Sequence, residues 1–203
     1  NDFTGMAQYN NIFKITHNNV LPEKGHILIS EPFLQDAYFQ RSVVLLVEHD
    51  KKGSMGFVLN KKLEMKLNRV IPEFENLPDI PVYLGGPVAS DRLFFIHSLG
   101  DTLIPEAVEF SKGLYMGGDF DALKRYILAG HKLEGKVKFF LGYSGWTENQ
   151  LSAEINQDAW VVGESSCNKV MLAEDESFWK ASLSGLGGRY KTWSNFPKDP
   201  FLN

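Results

Sequence analysis

Val43-Val44-Leu45-Leu46-Val47 is the stretch that most narrows what this chain can become. An unbroken apolar run of strand length has no polar face to give to water, so a strand made from it must be covered on both sides. Ser42–Glu48 is therefore read as a buried strand. Asp50-Lys51-Lys52-Gly53-Ser54 has turn chemistry, and Met55–Leu59 is apolar again, so the pair reads as a hairpin. His26–Ser30 reads as a preceding strand. Pro32, which cannot donate to a ladder, belongs to an edge or loop between them.

The rest of the chain alternates strands and short helices. Leu67, Val70, Ile71 and Phe74 have helical spacing, but Pro72 cuts any helix short. Val82–Leu84 and Leu93–Ser98 read as strands, and Val108–Phe110 with Leu114–Met116 reads as a second hairpin. Asp119 is placed to cap a helix over Phe120–Ala129 that ends at Gly130. Val137–Leu141 reads as a strand followed by a glycine loop, Gly142–Trp146. Thr147-Glu148-Asn149-Gln150 then has a capping-box pattern opening a helix with Leu151 and Ile155 on one face. Ala159–Val162 is a further strand, and Phe178, Trp179 and Leu183 mark a last helix before Gly185, Gly187 and Gly188. The expected class is α+β or mixed α/β: a mixed, largely antiparallel sheet with flanking helices and a small second sheet region.

The 203 residues suit one domain, preceded by an Asn-rich arm over residues 1–24 that Ile12, Phe13 and Ile15 could anchor. The 21 basic and 25 acidic side chains give a net charge of −4, which argues against a general nucleic-acid surface. The single cysteine, Cys167, cannot form a disulfide within the chain, and its polar setting marks it as inert. No apolar run is long enough for a membrane helix, and no signal-peptide pattern opens the chain. A cytoplasmic protein is expected, with no membrane partner. Nothing in these residues sets an oligomeric state.

Candidate chemistry gathers at strand ends. Arg41 carries a planar fork of donors suited to a carboxylate or phosphate. It serves either an anionic ligand or a clamp with Asp36. Glu48-His49, at the other end of the same strand, offers a base beside a carboxylate, or a second clamp closing the hairpin. His26, His97 and His131 lack ligand spacing with His49, so no metal site is expected. Gly142-Tyr143-Ser144-Gly145-Trp146 resembles a nucleophile elbow, but Trp146 stands where the last glycine is needed. A glycine loop before a capped helix could instead present N–H groups to an anion, with Tyr143 and Trp146 as a stacking face. Gly85-Gly86-Pro87 could admit a ligand close to the backbone, or merely turn the chain. Gly185-x-Gly187-Gly188 follows no strand and is not a dinucleotide fingerprint, so no cofactor is expected. Lys124, Arg125, His131 and Lys132 give one helix region a mild basic character, without a helix-turn-helix pattern.

The block from Gly25 to Asn60 resembles the YqgE/AlgH family of small bacterial proteins. So do Leu84-Gly85-Gly86-Pro87-Val88 with His97 downstream, Gly142–Trp146 running through Gln150-Leu151 to Glu154 and Trp160, and the end region with Trp179 and Gly185. Their order and spacing cover Gly25 to about Gly188, and a family-like domain is expected over 25–203. The N-terminal arm resembles the extension of Bacteroidetes-type members. The resemblance implies a compact fold of mixed sheets with flanking helices. It brings a transcription-regulator label but no catalytic residues, and its pattern accepts Ala at the position of Ser144.

The leading expectation is a regulatory or ligand-binding protein. A small anionic or nucleotide-like molecule would sit near Arg41, Asn60, Gly85, Gly86, Tyr143, Gly145 and Trp146. The alternatives are a hydrolase or transferase using His49 and Ser144, and a direct DNA-binding regulator. The charge balance generates a test of the last. Anisotropy titration with duplex DNA at physiological salt should show only weak association that falls steeply as salt rises; sequence-selective binding at nanomolar protein would restore the regulator reading.

Overall fold

Val43 to Val47 are each at most 2% exposed and lie in strand β2 (Val43–Asp50). Val43, Leu45 and Val47 pack into a cluster with Trp179 and Leu183. Val44 and Leu46 point the other way, into a cluster with Trp146, Leu151 and Trp160. The strand is covered on both faces, as its unbroken apolar run requires. This is a computed structural model, and it describes residues 20–198. The proposed arm anchors Ile12, Phe13 and Ile15 lie outside the described residues.

β2 is flanked by β1 (Ile27–Ser30) and β3 (Gly53–Val58), both antiparallel, with a bulge between Leu46 and Glu48. β10 (Trp160–Gly163) adds antiparallel to the outer side of β1. Beyond β3 comes β9 (Val137–Thr147), then β6 (Val88–His97), β8 (Leu114–Met116) and β7 (Val108–Ser111). A smaller pair, β4 (Lys62–Lys66) with β5 (Pro81–Leu84), joins through a parallel contact of β5 with β9. The sheet is mixed and largely antiparallel, flanked by helices, as expected from the sequence.

β9 is the spine. Its first half lies between β6 and β5, and its second half pairs with β3. The hand-off falls at Gly142, which has φ +71°, and at Gly86, which has φ +156°. A Cβ on Gly86 would lie 2.2 Å from the Tyr143 carbonyl oxygen, and one on Gly142 would lie 2.4 Å from that of Gly86. Two backbones touch here, and a side chain on either residue would push them apart. The expected loop at Gly142–Trp146 is therefore strand.

Six helices are described: α1 (Gly100–Leu103), α2 (Phe120–Leu128), α3 (Gln150–Asn156), α4 (Cys167–Leu172), α5 (Glu176–Ser184) and α6 (Gly188–Trp193). Asp119 caps α2 by accepting from the Asp121 N–H at 3.0 Å. The expected capping box at Thr147 is not formed as such. Thr147 ends β9, Asn149 precedes α3 at φ +64°, and only the Gln150 side chain reaches back, accepting from the Thr147 N–H at 3.0 Å. Leu67, Ile71 and Phe74 are buried by two short 3-10 turns, Leu67–Arg69 and Pro72–Phe74, rather than by a helix, and Val70 is exposed. They belong to another cluster with Ile80, Leu123 and Ile127.

Asn60, 3% exposed, ties the sheet to its cover. Its Oδ1 accepts from the Val43 N–H at 3.0 Å, and its Nδ2 donates to the carbonyls of Arg41 at 3.0 Å and Asp175 at 3.1 Å. Truncation would leave these backbone groups without their side-chain partner. Asn60→Ala should lose about 1–3 kcal/mol in chemical denaturation, the range for buried partners left unsatisfied.

Candidate functional site

The expected site residues fall into separate places. Arg41, at φ +48°, is buried where β2 begins. Its Nη2 donates to the Phe196 carbonyl, its Nε stands 3.5 Å from Glu176 Oε1, and its guanidinium lies 4.6 Å from the centre of the Trp179 ring. The pair with Asp36 does not form. Asp36 accepts instead from the N–H groups of Tyr38 at 2.8 Å and Phe39 at 3.2 Å, closing its own turn. Arg41 is thus a clamp, but onto α5 and the C-terminal segment.

Gly85, Gly86 and Tyr143 do meet, through backbone contact. A Cβ on Gly85 would lie 2.3 Å from the Gly142 carbonyl oxygen, so the small residues make room for chain rather than ligand. Tyr143 packs edge-on against Phe94. Gly145 is exposed opposite Met55. Trp146 turns into the core, where its Nε1 and that of Trp160 both donate to Glu154 Oε1, at 3.4 and 3.2 Å. None of Arg41, Asn60, Gly85, Gly86, Tyr143, Gly145 and Trp146 lines the three clefts described below.

The hydrolase residues are also engaged elsewhere. Ser144 is fully buried within β9 and donates to the Gly85 carbonyl at 3.0 Å, so it has no approach for a substrate. His49 Nδ1 shares a 2.7 Å hydrogen bond with Ser54 Oγ across the hairpin, and Glu48 is exposed. His97 Nε2 lies 2.9 Å from the Gly117 carbonyl, and its Nδ1 is 3.2 Å from the Leu99 N–H. That pattern fixes a neutral tautomer, and burial holds its pKa below the usual histidine range. Among the described residues, no three His, Cys, Asp or Glu side chains stand close enough to hold a metal ion.

Lys138 is a candidate site residue that no motif in the sequence marks. It occupies the second position of β9, in Val137-Lys138-Phe139-Phe140-Leu141, opposite Ile96 of β6. It is 3% exposed. Its Nζ donates to the Ala173 carbonyl and lies 3.6 Å from the centre of the Tyr83 ring. The signal was a lone lysine in a strand whose two faces are both needed for core.

Lys138 and Tyr83 line a cleft of about 490 Å³ where β5, the start of β9, the chain leaving α2, and α4 converge. Ile80, Ile127, Leu133, Phe139, Met171 and Leu172 make its walls apolar; Asp79, His131, Lys132, Glu134 and Glu174 supply polar groups. A second cleft, of about 500 Å³, lies against α4 and α5, and a third, of about 740 Å³, is a charged hollow beside β4. Only the first of these three contains a buried amine.

Burial pushes the Lys138 amine down to about 7, against an upward pull from Glu174 and a further downward push from Lys62. Glu174 and Lys62 pair with each other at 3.3 Å, which blunts both. Burial, then the carboxylates of Glu174, Asp175 and Glu134, raises the Tyr83 phenol to about 12, so it stays protonated. Near neutral pH the cleft thus presents an amine that can act as a base or nucleophile, or hold an anion once protonated.

The AlgH-like family model matches residues 27–191. The chain belongs to this family. It is 62% identical to a UPF0301 protein of Parabacteroides distasonis, over 98% of this chain and all of that relative. It is 51% identical to one of Bacteroides thetaiotaomicron, over 95% of this chain and 97% of that relative. Among solved structures it is similar to the AlgH protein of Pseudomonas aeruginosa. The TM-score is 0.67 at 30% identity, with 90% of this chain and 98% of that chain covered. A Corynebacterium diphtheriae protein, DIP2367, shares the fold at TM-score 0.73 and 21% identity, with coverage of 90% and 95%.

The Lys138 amine makes stability depend on pH in a defined direction. Unfolded, it holds its proton up to about 10.5; folded, it releases it near 7. Between those values the unfolded chain binds the extra proton, so this group's contribution to stability rises with pH. Lys138→Met removes the dependence. The stability difference between variant and wild type should shift by about 4 kcal/mol in favour of wild type from pH 6 to pH 10, at roughly 1.4 kcal/mol per unit. Urea denaturation across that range checks it, and a flat difference would show that the amine stays charged when buried.

Proposed function

We propose that this AlgH-family chain is a small-molecule-binding protein whose site is the Lys138 cleft. One observation carries the reading: a lysine at the start of a core strand, almost wholly withdrawn from water, lines an apolar cleft of ligand size. A lysine placed there is costly to bury, a cost offset only in part by its hydrogen bond to the Ala173 carbonyl and its contact with the Tyr83 ring. Perturbed titratable groups in clefts mark sites of binding or chemistry.

The ligand this cleft fits has an apolar body and one oxygen-bearing head, a carboxylate or a carbonyl, that meets the amine. This keeps the expectation of a small anionic ligand and moves it from Arg41, where the Phe196 carbonyl and Glu176 already occupy the guanidinium. A regulatory role follows if occupancy alters the surface around α4 and the loop after α2. A reducing, cytoplasmic setting suits the unpaired Cys167 thiol. The hydrolase reading has less support because Ser144 and His49 are engaged elsewhere. Direct DNA binding has less because Lys124 is tied to Glu73 at 3.2 Å and lies over Phe120.

Thermal shift tests the reading. Heptanoate and 2-heptanone, matched apolar chains with the two head groups, should raise the melting temperature of wild type as ln(1 + [L]/Kd). The carboxylate's effect should be lost in Lys138→Met. A wall substitution, Leu133→Trp, should block both ligands. If neither compound shifts wild type at millimolar concentration, the cleft is not a site for this class.

A further inference from the structure

Resting on that reading of the cleft, we propose that Lys138 captures the carbonyl carbon of an aldehyde or ketone covalently, as a reversible imine. The surroundings of the amine carry the idea. Nζ meets the Ala173 carbonyl on one side and the face of the Tyr83 ring on another. A neutral amine has two hydrogens and one lone pair. The carbonyl and the ring face are placed to accept the two hydrogens, an arrangement that would leave the lone pair unengaged. The ion-paired Glu174 and Lys62 are the charged groups that bear on it, and Tyr83 is an uncharged phenol. The apolar walls keep the amine poorly solvated, the usual way a lysine is activated for carbonyl chemistry.

The step balances without an oxidant or reductant. The nitrogen lone pair attacks the carbonyl carbon, and the carbon–oxygen π pair moves to oxygen, which takes a proton from water in the cleft. The nitrogen of this carbinolamine gives up a proton to the hydroxide left in the cleft. The hydroxyl takes a second proton from water and leaves as water while the nitrogen lone pair forms the carbon–nitrogen double bond. The resulting iminium gives its remaining N–H proton to the hydroxide so formed, leaving a neutral imine and one water in all. Water re-entering the cleft reverses the sequence. A carboxylate of the same length cannot follow this course and binds by charge alone.

The full chain is incubated with pentane-2,4-dione at pH 7. This diketone condenses with an unprotonated amine, and the imine rearranges to a stable enaminone with a near-ultraviolet band. The expected result is one adduct per chain, mapped to Lys138 by peptide mass. It should form at least ~100-fold faster than modification of the exposed Lys51, because an ordinary amine is almost wholly protonated at this pH. Heptanoate should slow it by occupying the cleft. Borohydride added with 2-heptanone should leave a reduced adduct at the same residue. Lys138→Arg and Lys138→Met should both lose the band. The wild-type peptide map stands alone should either variant fail to fold.

Modification spread over surface lysines, with Lys138 untouched, overturns the proposal. A melting shift from heptanoate and 2-heptanone with no trapped adduct also overturns it, but leaves the binding site standing. No shift and no adduct removes both readings together.

Discussion

The structure depends on two stretches of backbone being allowed to touch. Where β9 passes from the β5–β6 half of the sheet to the β3 half, Gly86 and Gly142 lie against each other's neighbours at distances that no side chain would permit. Gly85 extends the junction by accepting from the Val58 N–H at 2.9 Å and donating to the Leu141 carbonyl at 2.8 Å. One strand can then serve two partner sets without a break. The glycine motifs that look like ligand cradles in the sequence are the seam that joins the halves of the sheet.

The covering layers are fastened to this sheet by buried polar groups, not only by apolar contact. Asn60 links β2 to the chain entering α5, Trp179 Nε1 donates to the Ser30 carbonyl at 2.9 Å, and Arg41 reaches the C-terminal segment. Each makes geometry specific where apolar packing alone would tolerate sliding. Each is also costly to interrupt, because a buried partner left alone has no water to turn to.

Elements whose cause is local were legible in the sequence. The apolar run of β2, the hairpin into β3 and the Asp119 cap of α2 follow from adjacent residues. Elements set by distant contacts were not. The partner of Arg41 is 155 residues away, at Phe196, so Asp36 was the nearer but wrong choice. β4 was hidden because Lys62-Leu63-Glu64-Met65-Lys66 alternates with too many charges to read as core, and it is held by pairing with β5. β9 was cut short at Gly142 because glycine ordinarily ends a strand; only a second backbone pressed against it explains why the strand continues. Lys138 needed one step more. A strand buried on both faces has no solvent side, so a lysine inside it must be accounted for, but the burial becomes visible only once β5, β6 and α4 are in place around it.

If the cleft takes a ligand as proposed, its amine would make the class of that ligand readable as proton traffic. At neutral pH a substantial share of Lys138 is unprotonated. An anion settling beside it would favour the ammonium form and draw a proton from the buffer, whereas an uncharged guest that forms no bond to the amine would leave the solution's proton count nearly unchanged. The heat of binding would then depend on the buffer's ionisation enthalpy for the first kind of ligand and not for the second. Affinity for an anion would weaken as the medium turns alkaline, while an uncharged guest that forms no bond to the amine would be held evenly. A single buried nitrogen would thus couple the occupancy of such a cleft to the acidity of its surroundings.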